Sequence, residues 1–68
     1  MSGNPQVRLA NEIARQFRGR PEDRAAATIA QHIRQFWDPR MRADLLAQVA
    51  ADPSRVDPVI RAAVRLLR

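Results

Sequence analysis

Along this chain bulky apolar residues return every three or four positions, and no stretch shows the alternation expected of a β-strand. The spacing predicts a helix over about residues 5–18, with Ala10, Ile13, Ala14 and Phe17 on one face and Leu9 beside them. A second is predicted over about 21–37, carrying Ala26, Ile29, Ala30, Ile33, Phe36 and Trp37. A third, about 39–51, lines up Arg42, Leu45, Leu46 and Val49, with Met41 alongside and the Arg42 stem lying over apolar surface. A fourth, about 58–68, offers Ile60, Ala63, Val64 and Leu67. The expectation is an all-α fold, a small bundle of about four short helices filling one domain over residues 1–68.

The punctuation agrees with the periodicity. Asn4-Pro5, Asp38-Pro39, Asp52-Pro53 and Asp57-Pro58 each join a side chain suited to capping a helix N-terminus to the residue best tolerated at the first helical position. All four read as helix starts. At Gly19-Arg20-Pro21 the glycine suits a left-handed turn after one helix and the proline opens the next.

Composition narrows the picture. The chain has 68 residues, 46% of them hydrophobic. A chain this short buries only about 60% of its unfolded surface, and many of its apolar residues are alanine, so the core must be thin. With no cysteine and one histidine, disulfides and a structural zinc site are excluded as staples. Absent cysteine and an N-terminus without a secretory pattern point to a cytoplasmic chain, and no apolar run approaches the roughly 20 residues of a membrane span. The net charge of +5 comes from twelve arginines and no lysine. Arginine in place of lysine also follows from a GC-rich coding sequence, and a dispersed basic excess speaks to solubility and steering rather than to a site.

The inventory argues against an enzyme. Asp38, Asp52 and Asp57 are expected to cap helices, and Glu22 and Asp23 to sit in a first turn where the helix dipole favours negative charge. Glu12 stands three residues from Arg15 and Asp44 four from Arg40, ordinary surface pair spacings. No glycine-rich phosphate loop or zinc-protease motif is present, so no catalytic, cofactor-binding or metal-binding residue is assigned in this chain.

Three features carry binding chemistry, each with a plainer structural reading beside it. His32, at the border of the second helix's apolar face, is either a partner contact or a half-buried helix histidine. Phe36 and Trp37 are consecutive and so point about 100° apart on a helix, which leaves open which of them closes the core and which faces a partner. The segment Trp37-Asp38-Pro39-Arg40-Met41-Arg42 combines a stiff corner with the aromatic, Arg and Met content of interface centres. Arg61, Arg65 and Arg68 form a basic stripe on the last helix, with Asp57 placed to offset Arg61. That stripe keeps a second function in play, a small basic helical nucleic-acid-binding module, although nothing interleaves it to stack on bases.

The run Ala10-Asn11-Glu12-Ile13-Ala14 with Phe17, the pair His32-Ile33, and the block Phe36-Trp37-Asp38-Pro39-Arg40-Met41-Arg42 leading to Leu45 resemble the delta subunit of cytoplasmic NAD-dependent, molybdenum-containing formate dehydrogenases. The resemblance spans nearly the whole chain and is most specific in the Phe36 block. It implies a non-catalytic accessory or assembly subunit that binds the large alpha subunit and supports its activity or maturation. The implied complex carries a molybdenum cofactor, iron–sulfur clusters, FMN and NAD, none of them in this chain. The motif residues map to Asn11, His32, Phe36, Trp37, Asp38, Pro39, Arg40 and Met41, the expected partner-binding set. If the corner docks, alanine at Trp37 or Arg40 should weaken the complex and spare the helix content. Exposed apolar surface would also permit a homodimer in isolation.

Overall fold

Asx-Pro dipeptides set the element boundaries of the chain, whose computed structural model describes residues 4–68; the part of the expected domain that falls on residues 1–3 lies outside the described residues. Helix α1 spans Pro5–Arg15, α2 Glu22–Phe36, α3 Pro39–Ala51 and α4 Pro58–Leu67, with a 3-10 turn at Pro53–Arg55 before α4. No strand occurs among the described residues, and the fold is all-α as the periodicity predicts.

The caps are made by the expected side chains. Asn4 Oδ1 accepts hydrogen bonds from the backbone N–H of Gln6 at 2.8 Å and of Val7 at 3.2 Å. Asp38 Oδ1 accepts from Met41 N at 2.8 Å, and Asp57 Oδ1 from Val59 N at 3.3 Å. Each bond satisfies an amide that has no partner inside its own helix, and losing such a cap typically costs about 0.5–2 kcal/mol. Asp52 caps in the same manner but opens the 3-10 turn rather than a long helix, since Pro53–Arg55 runs only to Val56 before the next Asx-Pro pair. At α2 the expectation shifts by a residue: Pro21 stands outside the helix in an extended conformation with no side-chain cap, and Glu22 and Asp23 supply negative charge in the first turn.

Helix α1 stops at Arg15, short of the predicted end near residue 18. Gln16 N bonds to Ile13 O and Phe17 N to Ala14 O, both at 3.0 Å, so the helix tightens to three-residue turns as it runs into Gly19. Gly19 has φ +83°, the left-handed conformation its position predicts.

Asp52 links local chemistry to stability. Its Oδ1 accepts from the Ser54 hydroxyl at 2.6 Å and from the Ser54 amide at 3.2 Å, and its carboxylate lies 3.8 Å from the Arg55 guanidinium. The Ser54 hydroxyl bond, then the Ser54 amide and the Arg55 charge hold its pKa below the ordinary value. A depressed folded-state pKa adds stability above the ordinary carboxylate range, and that contribution is lost as pH falls through the lowered value. Asp52→Asn should therefore flatten the acid limb of a plot of melting temperature against pH while leaving the neutral-pH cap in place. An acid limb identical to that of the parent chain would remove Asp52 from the titrating set.

The core is built on α2 and α4, which make the most extensive helix–helix contact. They run parallel. The Arg34 guanidinium near the end of α2 donates to the Leu66 carbonyl at the end of α4, and Ala25 near the start of α2 borders the same hollow as Val59 at the start of α4. Ala25, Ala26 and Ala30 on α2 and Ala63 on α4 are all buried, and residues this small let helix axes approach closely. Ile29, Ile33, Leu45, Ile60 and Val64 are the largest fully buried side chains, and no polar or charged residue is buried among the described residues. Helices α1 and α3 pack on each other, and α1 also meets α4. Ile13, Phe17, Met41, Leu46 and Leu67 lie half-covered against this core.

Two apolar side chains near the helix faces stay in solvent. Leu9 is 46% exposed and Phe36 is 71% exposed, although both share a helical side with core residues. The surface pairs also thin out: among the described residues only Glu12–Arg15 and Asp52–Arg55 come within ion-pair range, each at 3.8 Å. The expected Asp44–Arg40 and Asp57–Arg61 pairs are not among them. Asp57 uses its carboxylate to cap α4, and Arg61 instead donates to the carbonyls of Pro53 at 2.8 Å and Val56 at 3.0 Å.

Candidate docking surface

The corner between α2 and α3 is made by two extended residues. Trp37 leaves the helix at φ −92°, ψ 140°, its N–H still donating to Ile33 O at 3.0 Å, and Asp38 follows at φ −75°, ψ 165°. Of the two consecutive aromatic rings, only one is inside. Trp37 is only 8% exposed and belongs to the buried core, on the same side of α2 as the buried Ala26 and Ala30. Phe36 projects into solvent. Of the two readings open for Trp37, the isolated chain takes the core one.

The rest of the corner is partly outward and tied by hydrogen bonds. Asp38 is held by its capping bond to Met41 N, and its carbonyl accepts from Arg42 N at 3.1 Å. Pro39 and Arg40 are exposed, while Met41 and Arg42 are half-buried, Met41 against the core.

Beside the corner lies an aromatic pair. His32 and Phe36 are both exposed and stack with ring centroids 4.9 Å apart and planes tilted by 38°. Their i, i+4 spacing brings them together on one face of α2, where they border a shallow hollow completed by Thr28, Gln31 and Gln35. A second hollow, lined by Phe17, Arg20, Pro21, Arg24, Ala25 and Thr28, adjoins it through Thr28. There the Arg20 guanidinium sits 5.5 Å from the centre of the Phe17 ring, a cation–π arrangement. Sequence reasoning passed over Arg20, Arg24 and Thr28. The signal was the row Arg24, Thr28, His32, Phe36 at steps of four, hidden because only its last two members are aromatic.

Asn11 does not join the corner. Its Nδ2 donates to Arg55 O at 3.1 Å and its Oδ1 accepts from Asp57 N at 2.9 Å, so it clips α1 to the segment ahead of α4. The basic stripe is likewise reduced, because Arg61 is held on backbone carbonyls and Arg65 and Arg68 alone stand free at the surface.

The donor set does not suit an iron–sulfur cluster or a transition-metal site. The chain has no thiol and a single imidazole, and among the described residues no three His, Asp or Glu side chains converge. Nor is any helix among them long and apolar enough to cross a membrane.

Fold and surface define a small all-helical protein with a rigid, arginine-bearing corner and an exposed aromatic pair. Residues 6–64 match the model of the NADH-dependent formate dehydrogenase delta subunit FdsD, and the chain belongs to that family. The matched span contains the Asn11 run and the whole Phe36 block on which the resemblance rests. Neither the curated proteins nor the solved structures yield a match.

Proposed function

We propose that this chain is a non-catalytic accessory subunit that binds the large, molybdenum-containing alpha subunit of a cytoplasmic formate dehydrogenase and supports its activity or maturation. The observation that carries this reading is the family match over residues 6–64. The chemistry of the chain is consistent with it. The carboxylates of Asp38, Asp52 and Asp57 are engaged in capping, and the most exposed large apolar side chain among the described residues is Phe36. A large apolar ring held in water by a stiff frame suits contact with another protein better than chemistry on a small substrate. Cofactors of the complex would then reside on its other subunits.

The test is purification of the tagged chain from its native host at moderately high salt, with the co-purifying proteins identified by mass spectrometry. Recovery of the alpha subunit is expected, together with a loss of formate-oxidising activity in cells that lack the chain. Recovery of the chain alone at high salt, with nucleic acid accompanying it at low salt, would overturn the reading, since phosphate binding through arginine falls steeply with salt. Stripping the chain from the assembled enzyme separates the two roles: activity that survives assigns it to maturation, and activity that is lost assigns it to the working complex.

A further inference from the structure

The outer ridge of α2 has a composition that its surroundings do not explain. Arg24, Thr28, His32 and Phe36 follow one another at i, i+4 spacing, each exposed, and Arg20 lies alongside through the hollow it shares with Arg24 and Thr28. Such a row is the ridge that packs into the groove of a neighbouring helix, yet no element of this chain covers it among the described residues. The ridge is basic at one end and aromatic at the other. It bears no carboxylate: Glu22 and Asp23, the nearest acids in α2, fall about 120° and 140° around the helix from Thr28 at 100° per residue.

Phe36 adds a second observation. It continues the line of Ile29 and Ile33, both fully buried, but is itself 71% exposed. The apolar line of α2 thus runs past the end of the core and stops in solvent, with His32 stacked on the ring at 4.9 Å.

We propose that this ridge docks against an acidic, amphipathic helix of the large subunit, with Phe36 entering an apolar recess and Arg20 and Arg24 meeting carboxylates. The proposal rests on the accessory-subunit reading and names the face that reading requires. Charge selects this occupant over a second copy of the chain. Each copy carries a net charge of +5, and a ridge without acids offers a twin no counter-charge. An acidic partner helix supplies the missing sign and register.

The experiment uses the large subunit purified from cells that lack this chain, titrated with wild-type chain and four variants. Phe36→Ala and Arg24→Glu alter the ridge; Leu9→Ala and Arg65→Glu place the same chemistry on α1 and α4. All four positions are exposed, so circular dichroism should report unchanged helicity. Phe36→Ala is expected to weaken binding by about tenfold or more, and Arg24→Glu by a similar factor that shrinks as salt rises. Both controls should bind as wild type does. Wild-type affinity for both ridge variants, with the wild-type chain still bound, would overturn the ridge and leave the accessory role standing. No binding by the wild-type chain would overturn both. Phe36-dependent dimers in sedimentation of the chain alone would reassign the face to self-association and overturn the proposal.

Discussion

Trp37→Ala is expected to cost about 3–5 kcal/mol of folding stability, the range for truncating a buried aromatic side chain. Trp37 is 8% exposed and part of the core cluster where α2 ends, so its truncation leaves a cavity in a core that is already thin. For a chain of 68 residues the whole stability is about 3–10 kcal/mol at the usual 0.05–0.15 kcal/mol per residue. The loss takes about a third of that stability at its upper end and all of it at its lower end, which brings the variant toward its unfolding midpoint. Far-UV circular dichroism should show reduced helicity at room temperature and a broad, early thermal transition. Trp37→Phe should recover most of the loss by keeping a ring in the space, and Arg40→Ala, at an exposed position, should melt like the parent. Full helicity in Trp37→Ala together with lost complex formation would instead make the indole a contact residue.

This inverts the expectation that alanine at Trp37 spares the fold, and the reason is local geometry. Phe36 aligns with Ile29 and Ile33, Trp37 with Ala26 and Ala30, and either side looks apolar in sequence. Periodicity alone does not decide between them. In the folded chain α2 ends at Phe36, Trp37 is buried and Phe36 is exposed. The caps, by contrast, were readable because an Asx-Pro cap is complete within four residues: Asn4, Asp38 and Asp57 each bond an amide two or three positions ahead. Arg61 fails for a related reason. Its spacing from Asp57 suggests a pair, but capping occupies that carboxylate, and the freed guanidinium finds the carbonyls of Pro53 and Val56.

Asn11 illustrates the limit of local pattern most clearly, since its partners stand 44 and 46 positions away in the chain. Within its helix it is one polar residue beside an apolar face. The resemblance makes it a motif residue and the expectation puts it in the partner-binding set; in the folded chain its amide is engaged within the fold. Both ends of its amide are engaged, the nitrogen as donor to Arg55 O and the oxygen as acceptor from Asp57 N. That second bond fixes the residue that caps α4, so one side chain ties α1 to the start of the helix on which the core is built.

Asn11→Ala should accordingly lower stability by about 1–3 kcal/mol, because it deletes two hydrogen bonds and leaves the half-buried Asp57 amide without its protein acceptor. In a domain this small that is a shift of several degrees in melting temperature, readable by thermal denaturation. Two substitutions separate the bonds from the volume. Asn11→Asp keeps the acceptor for the Asp57 amide but turns a carboxylate toward the Arg55 carbonyl, so it should fall between wild type and alanine at low pH and lose further stability once ionised. Asn11→Leu replaces the volume and no bond, and should be no better than alanine. If Asn11→Ala melts with the parent chain but binds the large subunit less well, the clip is not what the residue is for, and Asn11 belongs to the contact surface. If it melts early and the chain, once folded at low temperature, binds as wild type does, Asn11 acts through the fold: it holds the turn before α4 against α1.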